Sequence, residues 1–166
     1  VDQVFWSDDQ CDWTDVEGEV QGLYITAIRP DPVEAEQLWL VTASGSEENL
    51  LYRSIDNGQS FEGVASFGEG ARLRDIQVHA GGVGWGVGWG DDLPYLWVAT
   101  DLDSWIETEL DGAGYSIALL GLSPDDPDQA WFKLVTAKGD RLLRAQSDGS
   151  IEALLESPDS IESLVV

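Results

Sequence analysis

Leu50-Leu51-Tyr52-Arg53-Ser54-Ile55-Asp56-Asn57-Gly58-Gln59-Ser60-Phe61-Glu62-Gly63-Val64 is the stretch whose reading decides the fold. Strand-forming residues run up to Ser54, a polar turn containing Gly58 follows, and an aromatic, Phe61, leads into the next extended segment. Gly58 permits the positive φ of a tight turn, and the Asp56 carboxylate can accept backbone N–H groups across it. An acid, two hydroxyls and a glycine in one turn suit a reactive site as well as a structural one. The rest of the chain decides between them.

Trp39, Trp85 and Trp131 are spaced 46 residues apart, in the contexts LWLV, GWGVGW and AWFKLV. The same step carries Ser54, at the end of LLYRS, to Thr100 and then to Gln146, each ending a similar run. A fixed period of 40–50 residues with several short strands is the sequence form of a β-propeller blade. Alternation and turn residues divide each repeat into four strand candidates. The first repeat has Tyr24–Ile28, Leu38–Ala43, Leu50–Ser54 and Glu62–Ser66. The second has Leu73–Val78, Val83–Trp89, Tyr95–Thr100 and Ile106–Glu109. The third has Ser116–Leu120, Ala130–Val135, Arg141–Gln146 and Ile151–Leu155. Val4–Ser7 and Val16–Val20 fall where the third and fourth strands of a preceding blade belong, and Ile161–Val166 where a following blade would start.

The predicted class is therefore all-β, with blades of four antiparallel strands, about 46 residues per repeat, and incomplete blades at both termini. Residues 1–22 would end one blade, 23–68, 69–114 and 115–160 would be whole blades, and 161–166 would open another. At 46 per repeat, 166 residues make about 3.6 repeats, short of the roughly 184 that four blades need. Met is absent even at position 1, so a processed or excised chain is expected, and the missing strands would come from parent sequence or another copy. Gly81–Gly90 has neither the following helix nor the lysine of a phosphate loop. Its register makes it a strand, with Val83, Trp85, Val87 and Trp89 on one face and a bare glycine face for a neighbouring sheet's large side chains.

Thirty-two acidic residues against eight basic ones give a net charge of −24. Such a charge repels nucleic-acid phosphates and anionic lipid, and excludes both as partners. No apolar run is long enough for a membrane helix, and no signal-peptide pattern opens the chain. Cys11, the single cysteine, can make neither an internal disulfide nor a metal site, and is expected as a buried free thiol. His79, the single histidine, has no nucleophile pattern beside it and is expected to be structural.

Ser54-Ile55-Asp56-Asn57-Gly58-Gln59-Ser60-Phe61 resembles the Asp-box of BNR repeats, the S/T-x-D-x-G-x-S/T-W/F turn of sialidase-like propellers. Pro30-Asp31-Pro32 before Leu38-Trp39, and Pro124-Asp125-Asp126-Pro127 before Ala130-Trp131, resemble the connection such repeats carry there. Eroded copies of the box lie at Ser7–Trp13, Thr100–Trp105 and Gln146–Ile151. The resemblance implies that Ser54, Asp56, Gly58, Ser60 and Phe61 form a structural turn on the side away from the ligand. It also implies an extracellular or periplasmic protein.

Three functions follow. A sialidase-like glycoside hydrolase would need an arginine triad, a Tyr–Glu pair and an aspartate acid. Ile28-Arg29-Pro30 has the family's arginine motif out of order, and Arg53, Arg72, Arg74, Arg141 and Arg144 lie outside any such context, so no catalytic residue is assigned. A non-catalytic module would bind a protein or glycan through loops opposite the box, where Glu47, Glu48, Arg72, Asp91, Asp92, Tyr115, Lys138 and Asp140 fall. A structural subunit would be completed by strand exchange between copies. No cofactor is required. Asp125, Asp126 and Asp128 crowd one loop, a weak calcium candidate without EF-hand spacing.

Overall fold

The computed structural model describes residues 4–7, 10–16, 18–43, 48–110 and 114–161, with residues 69 and 115 described by backbone alone. Among the described residues every regular element is a strand. β1 (Phe5–Trp6) and β2 (Thr14–Asp15) form a short ribbon. β3 (Ile25–Pro30), β4 (Leu38–Thr42), β5 (Glu48–Ser54) and β6 (Glu62–Glu69) form the first four-stranded sheet. β7 (Arg72–Val78), β8 (Gly84–Gly90), β9 (Leu93–Ala99) and β10 (Ile106–Glu109) form the second. β11 (Gly114–Leu122), β12 (Gln129–Thr136), β13 (Gly139–Gln146) and β14 (Ile151–Ser157) form the third. Each sheet is an antiparallel meander in chain order, and the sheets approach one another chiefly through their first strands, β3, β7 and β11. This is the blade arrangement of a β-propeller, in an all-β chain.

Residues directly opposite in a ladder share a face, so the register sorts each sheet into two sides. Trp39, Val41 and Leu51 face the second sheet and meet Leu73, Ile76 and Trp97. Trp85, Val87 and Leu96 face the third sheet and meet Ile117, Phe132 and Leu134. Leu40, Tyr52 and Phe61 face the N-terminal ribbon, against Trp6, Val16 and Val20. Three interfaces thus repeat one pattern. Thr26 Oγ1 donates to Leu73 O (2.7 Å), Arg29 pairs with Asp75 (2.8 Å), and the buried Asn49 amide donates to Ala71 O. Together they lace the first sheet to the second.

The tryptophan period survives in space, but the period on the third strands slips. Leu38 faces Ser54, Gly84 faces Ala99, and Ala130 faces Ala145. The equivalents of Ser54 are therefore Ala99 and Ala145, not Thr100 and Gln146. The cause is the hairpin: β8 and β9 are joined by Asp91 and Asp92 alone, which draws the third strand one residue closer.

Three further expectations change. The ribbon's second strand is Thr14–Asp15 rather than Val16–Val20. Val16 continues the ribbon by one bond, its N–H donating to Val4 O (2.9 Å), and with Val20 buries against the first sheet, while Gly18 (φ 99°) and Gly22 (φ 81°) turn the chain there. Cys11 is exposed, because it sits in the turn between β1 and β2, which no sheet covers. The glycine face of β8 is filled first by its own blade: Leu102 and Trp105 fold back onto Gly84. The neighbouring sheet supplies the next layer, with Phe67 edge-on to Trp105 (5.2 Å) and Trp97 (5.9 Å). Of the strand expected at Ile161–Val166, residues 162–166 lie outside the described residues, and Ile161 is not in a strand.

Candidate functional site

Alternate turns of a meander lie at opposite ends of the sheet, which gives the fan two faces of different chemistry. On the first, Ser54 ends β5 and Phe61 anchors the return. The Asp56 carboxylate accepts the Ser60 N–H (2.9 Å), the Ser60 hydroxyl (2.6 Å) and the Ser54 hydroxyl (2.7 Å). Ser54 Oγ in turn accepts the Gly58 N–H (2.8 Å), while Asn57 (φ 59°) and Gly58 (φ 86°) take left-handed conformations. Partial desolvation pushes the Asp56 carboxyl up, but the bonds from Ser60 and Ser54 outweigh it and hold it below the usual 3.8. A carboxylate held ionised in this way is an acceptor, not a proton donor. The Asp56 carboxylate is thus engaged within its own turn.

The other acids on this face are engaged similarly. Asp31 accepts the Val33 and Glu34 N–H groups (both 2.9 Å), the Gln37 amide (2.8 Å) and the Trp39 indole (2.9 Å). Burial raises its carboxyl, and these four bonds together bring it below the ordinary value. Asp101 accepts the Asp103 and Ser104 N–H groups, and Asp148 accepts that of Ser150. Of the calcium candidates, Asp126 accepts Gln129 Nε2 (2.6 Å) and Asp128 accepts Ser147 Oγ (2.6 Å), while Asp125 is exposed. Among the described residues no three acidic, histidine or cysteine side chains gather as a metal site would require. His79 Nδ1 accepts the Gly81 N–H (2.8 Å) and closes the β7–β8 turn.

The second face carries the other candidates. Asp91 (φ 49°) and Asp92 (φ 65°) form a two-residue hairpin turn with both residues left-handed. Arg72 Nη1 stands 3.9 Å from Asp92, whose side chain is almost wholly exposed. The structure therefore joins Arg72, Asp91 and Asp92 into one patch. Glu48 is taken by Ser66, whose hydroxyl donates to it, and Lys138 is exposed on the β12–β13 turn. Glu47 and the Tyr115 side chain lie outside the described residues.

The expectation of a surface loop fails at Asp140. It is buried, accepting the Ile161 N–H (2.8 Å) beside Lys133 Nζ at 3.5 Å. Lys133 also donates to Ile161 O (2.8 Å), so the pair clamps the chain after β14. A strand-end acid beside a turn reads as surface until the returning chain is placed over it. Sequence reasoning marks Asp31 only as part of the Pro30-Asp31-Pro32 connection, not as the acceptor that holds its loop, and passes over Asn49. A one-dimensional signal exists for the first: Gln37 and Gln129 stand two periods apart, each donating to its loop's aspartate. None exists for Asn49.

The arginines do not converge. Arg53, Arg141 and Arg144 pair with Glu62, Glu156 and Glu152 on the outer strands β6 and β14. A recess beside the ribbon, lined by Val4, Asp15, Val16 and Gln21, is a shallow surface dent with no enclosed room for even a water-sized molecule.

Neither a protein-family model nor a curated protein matches the sequence. Solved structures do match the fold. The chain is similar to YCF48 from Cyanidioschyzon merolae at 17% identity and a TM-score of 0.56, over 81% of this chain and 41% of that one. It is similar to a GH74 xyloglucanase from Xanthomonas campestris at 19% identity and a TM-score of 0.60, over 81% of this chain and 22% of that one. Prolyl oligopeptidase B from Galerina marginata aligns over 93% of this chain and 22% of its own, at 10% identity and a TM-score of 0.57. The chain thus spans less than half the length of each.

Proposed function

We propose that the chain is a non-catalytic binding module of the BNR/Asp-box kind, which takes a protein or glycan on the face opposite the Ser54–Phe61 turn. The observation that carries this reading is the unequal use of carboxylates. On the turn face Asp31, Asp56, Asp101, Asp126 and Asp148 all hold their own loops, whereas Asp91 and Asp92 project from a two-residue hairpin with Arg72 beside Asp92. A fixed pair of exposed acids beside a guanidinium offers acceptors and donors to sugar hydroxyls, or an anionic edge to a basic protein. The dispersed arginines support the absence of hydrolase chemistry. Dense acid with two lysines among eight cations suits an extracellular or periplasmic setting.

Xyloglucan is the first glycan to test, because the xyloglucanase shares this fold. Affinity electrophoresis through xyloglucan and other polysaccharides, alongside titration with lysozyme and cytochrome c, should find at least one ligand retained. An Asp91→Asn/Asp92→Asn variant should lose that retention, and Asp148→Asn, on the other face, should keep it. Binding to none of these probes, equal loss in both variants, or release of reducing sugar from a bound glycan would overturn the reading. A second reading, a subunit of a larger assembly, draws on the two outermost faces of the fan.

A further inference from the structure

The outer strands β6, β10 and β14 all carry glutamates, and what faces those glutamates on the third strand differs between sheets. In a ladder the residue directly opposite is the natural partner of a charged side chain. Glu62 on β6 stands opposite Arg53 and pairs with it (2.6 Å). On β14, Glu156 stands opposite Arg141 (3.1 Å) and Glu152 opposite Arg144, and both are paired. The second sheet breaks this rule. On β10, Glu107 stands opposite Trp97 and Glu109 opposite Tyr95. Counted back from the equivalent residues Ala99 and Ala145, Tyr95 holds the place of Arg141, and Val98 that of Arg144.

Neutral donors take the place of arginine there. The Trp97 indole N–H donates to Glu107 Oε2 (3.1 Å), and the Tyr95 hydroxyl to Glu109 Oε2 (3.4 Å). The Tyr95 ring stacks on Trp97 with centroids 5.6 Å apart. Asp91, on the adjoining hairpin, adds a third carboxylate. Among the described residues none of these three acids lies within ion-pair distance of a cation. Desolvation, and then the charges of Glu109, Glu107 and Asp91, push the Tyr95 hydroxyl above its ordinary 10. The local field is negative and unbalanced. β10 is the edge strand of its sheet, and the exposed Glu107 and Glu109 share one face of it, about 7 Å apart. The first and third sheets pack on the two faces of the second, so this edge belongs to a complete blade.

We propose that β10 takes an extended basic segment of a partner protein, whose arginines at alternate positions pair with Glu107 and Glu109. A strand added at a sheet edge bonds through its backbone and turns every second side chain to the same face. Two arginines separated by one residue then stand opposite the two glutamates, as Arg53 stands opposite Glu62 within the first sheet. Tyr95 offers its ring to the guanidinium at Glu109, and the net charge of −24 draws a basic segment in. Arginine fits better than lysine, because its planar fork matches a carboxylate and stacks on an aromatic face. Such docking rests on the chain being a binding module and narrows its ligand to a basic protein segment.

Titration of the isotope-labelled chain with two isomeric peptides, read from its amide chemical shifts, tests this. Salt of about 0.1 M screens charges more than about 10 Å apart. One peptide is acetyl-Thr-Arg-Thr-Arg-Thr-amide. The other, acetyl-Thr-Arg-Arg-Thr-Thr-amide, has the same charge but points its arginines to opposite faces. The first should shift the Ile106–Glu109 amides most and bind about fivefold more tightly, the worth of one exposed ion pair. Glu107→Gln/Glu109→Gln should weaken it about tenfold, and the charge-matched Glu34→Gln/Glu36→Gln, on the β3–β4 loop, by less than about twofold. All four side chains are exposed, so both variants should melt like the parent. Equal binding of the isomers, equal loss in the two variants, or shifts centred away from β10 would overturn the proposal. Failure of the hairpin reading looks different. If xyloglucan is retained through Asp91 and Asp92 while neither peptide binds, that reading stands and this proposal falls. If peptide binding survives Asp91→Asn/Asp92→Asn and no glycan or other protein is retained, this proposal stands and that reading falls.

Discussion

Asp56 looks catalytic in the sequence, yet its carboxylate oxygens are engaged within its own turn. Its three short bonds come from within five residues of itself, so the turn is nearly complete as a local object. Asp56→Asn keeps the shape but replaces an ionised acceptor, and should lower stability in urea unfolding by about 1 kcal/mol, the low end for a charged hydrogen bond because the site is partly solvated. The pH dependence has a definite sign. A carboxyl depressed on folding contributes stability above its unfolded value of 3.8 and loses it as pH falls through the folded value. The gap between parent and variant should therefore be constant above about pH 5 and close below 3.8. A gap that persists into acid would mean that the charge on Asp56 is not what the turn uses.

At the scale of the element, β8 is the instructive strand. Its alternating tryptophan and valine side chains make one face, and its glycines leave the other bare. Gly84 is needed because the rigid Trp105 ring lies where a side chain would go: an added Cβ would sit 2.7 Å from Trp105 Cη2 and collide with Leu102. Gly84→Ala should cost about 1–3 kcal/mol by overpacking. Gly121→Ala, on open β11, should stay within about 0.5 kcal/mol. Parallel urea titrations check both, and equal effects would show that Trp105 does not rest on the glycine face. The strand itself is readable from its alternation. Its covering is not, because Leu102 and Trp105 arrive from a turn whose box has eroded, and register alone does not say which neighbour reaches a bare face first.

For the whole molecule, charge is the largest effect visible in composition. With 32 acids and eight bases, self-repulsion opposes the compact state. Raising NaCl from 0.01 to 1 M shortens the screening length from about 30 Å to about 3 Å. The melting temperature should rise across that range, at protein concentrations low enough to remain monomeric. A flat or falling curve by circular dichroism would show that the surface acids are balanced locally by pairs such as Arg144–Glu152 and Arg29–Asp75.

The 46-residue tryptophan period, the four-strand repeat and the polar turn at Ser54–Phe61 are all properties of the sequence by itself. They depend on local alternation, on glycine's backbone freedom and on hydrogen bonds that close within a few residues. Other features exist only once the chain is folded. The burial of Asp140 and Asn49 depends on groups more than 20 residues distant, and the one-residue slip of the third strands on how tightly a hairpin closes. Trp39, Trp85 and Trp131 hold the same place in the repeat, and the sequence cannot distinguish them. Tertiary structure does, because burial belongs to an interface: among the described residues Trp39 and Trp85 face a following sheet and are buried, and Trp131 faces none and is only partly buried.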